Sequence, residues 1–216
     1  MKHKQLFTQA GIWFAIFCVF TVMVRTVDVQ PIGPKGSKVG FAGLNAWAQG
    51  VIGTSDGWYM VSKLIGGVAL LVAAGFALIG LVQLVQHKSL SQVDEDIIWL
   101  GVLYALVIIF YVLFNNVVIN YRPVLEDGML EASYPSSHTM LSICVFGSAM
   151  MQIRARIMEG RPRQIAQAIA VILMLLIIVG RLLSGVHWLT DMIGSVLISA
   201  ALLTLYAGLL EWRKKY

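Results

Sequence analysis

The chain has 216 residues, 58% of them hydrophobic and 12% charged, with a mean hydropathy of +0.80 and a formal net charge of +5. A soluble globular domain is about 45–50% apolar and about 25% charged, so this composition argues against an ordinary water-soluble fold and makes lipid the main solvent. The length suits one domain over 1–216, and a basic excess is what membrane topology itself produces, so it carries no nucleic-acid reading.

A bilayer core of about 30 Å needs about 20 mostly apolar residues per helix. Apolar runs cover residues 6–24, 61–85, 97–119, 164–183 and 188–210. A sixth run, 138–153, is shorter and would be roughly 24 Å long as a helix. The expected fold is all-α: a polytopic membrane protein with six transmembrane helices. The first run follows "MKHK", but the nearest small-x-small sequence, "AWA" at 46–48, lies far past its end, so it is read as a retained helix rather than a signal peptide. The long connection 25–60 contains "VGFAGLNAWAQGVIG", with Phe41, Leu44, Trp47, Ala48 and Val51 at roughly helical spacing. This predicts an interfacial amphipathic helix between helices one and two. Cys18 and Cys144 sit inside apolar runs and read as buried thiols; with no CxxC and no Cys/His cluster, a zinc site has no support.

Six spans put both termini on one side, and charge chooses the side. Lys2, Lys4, Lys88, Arg154, Arg156, Arg161, Arg163, Arg213, Lys214 and Lys215 fall on the face shared with the termini. Arg25, Lys35, Lys38, Lys63, Arg122 and Arg181 fall on the other. The positive-inside tendency then makes the termini cytoplasmic and puts "PSSH" (135–138) on the outer face of the cell membrane.

Ionisable groups in membrane segments are costly and read as functional by default. Arg122, His138, Arg181 and His187, with Asp191 beside them, all map to the outer ends of the last four runs, which gathers them at one level of the membrane. In "HWLTD", His187 and Asp191 are four apart and would share a helix face, so the carboxylate would support the imidazole. In "GRLLSGVHW", Arg181 and His187 would point about 120° apart on a continuous helix. Ser184 and Gly185 offer a break, after which the two face each other across a turn. In "NYRP", Pro123 is expected to end the third run and present Arg122, whose guanidinium fork suits phosphate oxygens. Ser136 and Ser137 precede a helix whose N-terminal N–H groups would cradle an anion, with His138 as a proton donor on the rim. Two Arg, a helix N-terminus, two His and one Asp suit the chemistry of a phosphate ester, with no metal-ligand cluster or cofactor required.

These residues resemble the type 2 phosphatidic acid phosphatase (PAP2) superfamily, the membrane-embedded lipid phosphatases. Its three signatures, Lys-x6-Arg-Pro, Pro-Ser-Gly-His and Ser-Arg-x5-His-x3-Asp, match segments 115–123, 135–138 and 180–191 in order and spacing. The resemblance implies His187 as a nucleophile forming a phosphohistidine and Asp191 as its support. It implies His138 as general acid and then base, and Arg122, Arg181, Ser136 and the N–H groups of Ser137 and His138 as the phosphate clamp. Three positions depart: Asn115 stands for the family lysine, Ser137 for glycine and Gly180 for serine. Asn115 removes a cation from the clamp; a charge-assisted contact is worth roughly 1.5–3 kcal/mol. Asn116 and Asn120 lie near enough in sequence to compensate in part.

The resemblance implies a metal-independent phosphatase acting at the outer face on a membrane lipid: phosphatidate, phosphatidylglycerophosphate or a polyprenyl pyrophosphate. Two alternatives stand beside it. One is a phosphotransferase using the same histidine; the other is a non-catalytic lipid-phosphate binding or transport protein.

Overall fold

The structure is a computed structural model that describes residues 2–213. Lys214 and Lys215, two of the basic residues in the topology argument, lie outside the described residues. The described residues form seven α-helices: α1 (Lys2–Thr26), α2 (Ala42–Ile52), α3 (Asp56–His87), α4 (Glu95–Asn116), α5 (Ser137–Arg156), α6 (Arg161–Leu183) and α7 (Leu189–Arg213). Among the described residues there is no strand, only isolated bridges in the connections.

Among the described residues five helices, α1, α3, α4, α6 and α7, are long and apolar enough to cross a membrane. Their outward side chains are apolar and exposed, for example Leu71 on α3 at 74% and Ile108 on α4 at 60%. In water such surfaces would associate; in lipid they are the solvated face. α5 differs because it stands in the middle. Thr139, Ser142, Ser148 and Gln152 are buried on it, among Met140, Cys144, Val145 and Phe146. A helix that faces protein on most sides has no need of lipid-like residues and can carry hydroxyl groups, most of them partnered, although Ser142 Oγ is not. Ser148 donates to the Val145 carbonyl at 3.0 Å, and Ser199 of α7 to that of Met140 at 3.3 Å. Cys144 is buried as expected, whereas Cys18 is exposed on the outside of α1.

The long helices alternate in direction. α1 runs antiparallel to α7: Lys2 reaches Glu211 at 4.0 Å, and Phe7 packs where a side chain on Gly208 would stand. The same end holds an ionic cluster. Arg156 pairs with Asp96 at 2.5 Å and Asp94 at 3.1 Å, and Arg213 with Glu95 and Asp96, both at 3.5 Å. Gln152 and the Tyr206 hydroxyl, 2.5 Å apart, extend this cluster into the core. It ties α4, α5 and α7 together at the end carrying both described termini.

The opposite end is built from connections. After α1 the chain turns back through residues 27–41. α2 then lies across the α6–α7 turn and braces it. Asn45 donates to Thr190 Oγ1 (3.0 Å) and accepts the Thr190 N–H (3.2 Å); Gln49 donates to the Gly185 carbonyl (3.1 Å). Leu44, Trp47 and Val51 remain on its outer side, 42–70% exposed. Ala48 and Asn45 point inward and are buried, and Phe41 precedes the helix. The inner face is therefore polar in part because its task is to hold a turn.

Two boundaries depart from the sequence reading. α4 ends at Asn116, not beside Pro123. The segment after it leaves the helix because it pairs with the chain that precedes α5: Arg122 N–H donates to the Glu131 carbonyl at 3.0 Å, and Ser133 N–H to that of Asn120 at 2.9 Å. Arg122 is thus held in a bridged loop and not at a helix mouth. The first turn of α5 departs more subtly. Ser136 occupies the N-cap, but its hydroxyl caps no N–H; it lies 3.0 Å from Thr139 Oγ1.

Candidate active site

The break in "GRLLSGVHW" positions the centre of the site. α6 stops at Leu183, Ser184 Oγ donates to the Arg181 carbonyl at 2.7 Å, and Gly185 adopts φ +69°. A side chain there would be strained by that φ and would press on the Gly53 carbonyl. The reversal turns His187 back toward Arg181. Nη2 of Arg181 lies 3.0 Å from Nε2 of His187, both residues being buried. The residues that a continuous helix would separate are brought together by the turn.

On its other side, Nδ1 of His187 lies 3.0 Å from the Ser133 hydroxyl, which in turn donates to Oδ2 of Asp191. The direct Nδ1–Oδ2 separation is 3.6 Å, so Asp191 reaches the imidazole chiefly through Ser133. The same Oδ2 accepts the Trp188 N–H at 2.8 Å, which fixes the carboxylate at the start of α7. Since the single Ser133 proton goes to Asp191, its oxygen accepts from His187 Nδ1–H. Nε2 then carries the lone pair, and Arg181 donates to it. Burial, with the Arg181 and Arg122 charges, pushes the His187 pKa well below its usual 6.5 and leaves the imidazole neutral near pH 7.

Ser133 sits next to Tyr134, and Tyr134 is anchored firmly. Its ring lies 6.3 Å from Phe17 and 5.8 Å from Phe114, its hydroxyl is 2.8 Å from Thr21 Oγ1, and it packs against Gly194. The peptide bond to Pro135 is cis. α5 starts two residues later, so the N–H groups of Ser137, His138 and Thr139 open a helix and lack intrahelical acceptors. His138 is half-buried in that first turn. It is close enough to Arg181, His187, Arg122 and Lys63 to feel their charges.

Arg122 completes the group with two carboxylates against it: one guanidinium nitrogen on Glu126, and Nη2 3.2 Å from Glu131. Glu126 also accepts the Tyr59 hydroxyl at 2.7 Å. Nε and Nη1 of Arg181 and Nε of Arg122 are buried without a hydrogen-bond partner. Buried guanidinium N–H groups without partners leave this end of the bundle short of hydrogen-bond acceptors.

His187, His138, Asp191, Arg122, Arg181 and Ser137 thus meet at one end of the bundle, while the Ser136 hydroxyl is turned to Thr139. Asn115 stands apart, exposed in the last turn of α4 beside a small hollow lined by Ser133 and Ser137. Asn116 bonds to the Val112 carbonyl at 2.7 Å, and Asn120 is buried with Oδ1 3.4 Å from the Gly40 N–H. Sequence reasoning missed Ser133, although it lies in the stretch "EASYPSSHTML" together with His138. It also missed Tyr59, Lys63, Glu126 and Glu131, which no spacing ties to the histidines. Among the described residues no group of three or more His, Cys, Asp or Glu side chains is placed to hold a metal ion.

A bundle with five long apolar helices among the described residues, and a buried cluster of His, Asp and Arg at one end, defines a multi-pass membrane protein. The family model described as "PAP2 superfamily" matches residues 68–215, and the chain belongs to that superfamily. This places it in the class of membrane lipid phosphatases. The crystal structure of the first transmembrane PAP2 type phosphatidylglycerolphosphate phosphatase, from Bacillus subtilis, has the same fold. The TM-score is 0.60 over 96% of each chain, at 17% sequence identity. No curated protein matches the chain.

Proposed function

We propose that the chain is one PAP2-type domain that removes a phosphoryl group from a lipid phosphate monoester or pyrophosphate through a phosphohistidine at His187. The observation that carries this reading is the orientation of that imidazole. Nδ1 is held by Ser133 and Asp191, and Nε2 faces Arg181, where a phosphate would sit.

In the first step Arg181 turns from Nε2 to the phosphate oxygens, and the Nε2 lone pair attacks phosphorus. The P–N bond forms as the P–O bond to the lipid breaks. His138 gives its proton to the departing oxygen. The resulting imidazolium keeps Nδ1–H on Ser133, and Asp191 offsets its charge. In the second step His138 takes a proton from water, the hydroxide oxygen attacks phosphorus, the P–N bond breaks and phosphate leaves. Arg122, Arg181 and the first N–H groups of α5, from Ser137 on, hold the equatorial oxygens in both steps. The chemistry needs no metal ion.

α5 serves as a sixth span in this reading, and α2 lies at the interface with Leu44, Trp47 and Val51 toward lipid. The excess of basic residues at the end with both termini makes that end cytoplasmic, so the site opens at the outer face of the cell membrane. Phosphatidate, phosphatidylglycerophosphate and polyprenyl pyrophosphate fit this scheme. The test is phosphate release from these three lipids by purified protein in detergent micelles, with trapping of labelled phosphoenzyme. Turnover of one lipid with label on His187 supports the reading. Turnover of none, or label elsewhere, overturns it.

A further inference from the structure

Asn115 leaves the family's lysine position without a cation, and we propose that Lys63 of α3 supplies a positive charge to the site. The proposal rests on the phosphatase reading above and assigns one more contact to the phosphate group of its substrate.

Lys63 and His138 line one groove of about 410 Å³ between α3, α4 and α5. The register of α3 fixes their relation. Gly66, one turn on from Lys63, lies against the imidazole: a Cβ there would stand 3.2 Å from Cδ2 of His138. Residues three apart share a helix face, so Lys63 sits on the face that presses on His138, one turn nearer the end of the bundle where Arg181 and His187 meet. A single ring gathers the cations. Lys63 Nζ is 5.2 Å and Arg181 Cζ 5.6 Å from the centre of Tyr59.

The charge of Lys63, like that of Arg181, is also left available. Arg122 is occupied by Glu126 and Glu131, whereas among the described residues no carboxylate forms an ion pair with Lys63. An ammonium group without a counter-ion at the head of an apolar groove is suited to an anion that enters with an apolar tail. Below Lys63 the groove is lined by Leu70, Val107, Ile108 and Leu141. The four-carbon stem allows Nζ to swing from Tyr59 toward a phosphate oxygen. Asn115 lies outside this groove, beside a separate hollow, so the cation comes from α3 and not from α4.

The test uses the full chain in detergent micelles, with two readouts: the Kd of inorganic phosphate and the KM for phosphatidate. The variants are Lys63→Met, Lys63→Arg, and Lys63→Met combined with Asn115→Lys. Lys63→Met is expected to weaken phosphate binding and to raise KM by about tenfold, as loss of one charge-assisted contact implies. Lys63→Arg should stay near the parent, and the added Asn115→Lys should recover part of the loss. If Lys63→Met leaves both Kd and KM within twofold of the parent, the proposal is wrong, whatever the enzyme's activity. If the parent turns over no phosphatidate but still binds phosphate in a Lys63-dependent way, the anion site stands and the hydrolysis of phosphatidate fails.

Discussion

The hydroxyl of Ser133 lies 3.0 Å from Nδ1 of His187 and donates its own proton to Asp191, so a serine stands between the imidazole and its carboxylate. Ser133→Ala would leave the two groups facing each other across 3.6 Å with a buried carboxylate poorly satisfied. Loss of roughly 1.5–3 kcal/mol of charge-assisted bonding corresponds to about 10- to 100-fold in kcat. Steady-state kinetics on the preferred lipid check this; a rate within twofold of the parent would mean that Asp191 acts on His187 directly.

The two histidines should separate by leaving group. His187→Ala is expected to abolish both turnover and trapped phosphoenzyme. His138→Ala should slow release from an alkyl phosphate by about 10²- to 10⁴-fold, the usual worth of a positioned acid. Its effect on nitrophenyl phosphate should be much smaller in the first step, because nitrophenolate departs without a proton. Phosphohistidine should therefore accumulate in His138→Ala with that substrate, because the water attack still lacks its base.

Acid sensitivity follows from the buried His187. Its pKa is lowered from 6.5, and the neutral form is the nucleophile. Activity is then present above the lowered pKa and lost only as pH falls through it. The acid limb of kcat/KM assigned to His187 should lie below pH 6.5, and Ser133→Ala should move it. A limb above 6.5 that disappears on substitution of His187 would contradict this assignment.

Chelators offer a direct check on the chemistry. Because the scheme routes every step through His187, His138 and the guanidinium groups, phosphate release should survive dialysis against EDTA with less than a twofold change. Loss of activity that a divalent ion restores would count against a histidine nucleophile.

Orientation can be read by labelling. Met129 is 68% exposed in the loop beside Arg122, and Met158 is 89% exposed at the other end, between α5 and α6. In a background lacking Cys18 and Cys144, Met129→Cys should react with an impermeant maleimide on intact cells, and Met158→Cys only after the cells are opened. The reverse pattern would place the site on the cytoplasmic side.

The spacing of chemical groups along the chain was enough to indicate helices, family and most of the site. Apolar runs of about twenty residues have few alternatives in lipid, because every backbone N–H and C=O must be satisfied within the segment. "PSSH", "NYRP" and "HWLTD" carry side chains whose presence there has a cost without a ligand, which made them visible. Where helix α4 stops was not visible in this way: the apolar run continues to residue 119, and what ends the helix is pairing of residues 120–122 with 131–133, a non-local event.

The sequence by itself determined the solvent of this protein, its helical class and most of the residues of the candidate site, since each depends on local composition. The break at Ser184–Gly185 that aims His187 at Arg181 was legible locally. Only the tertiary structure decided the other meetings: the anchoring of Tyr134 delivers Ser133 to the far side of the ring. The packing of α3 on His138 brings up Lys63 from a segment that no motif marks. Contacts between residues 50 or more positions apart are set by packing of whole helices, and no short window of sequence records them.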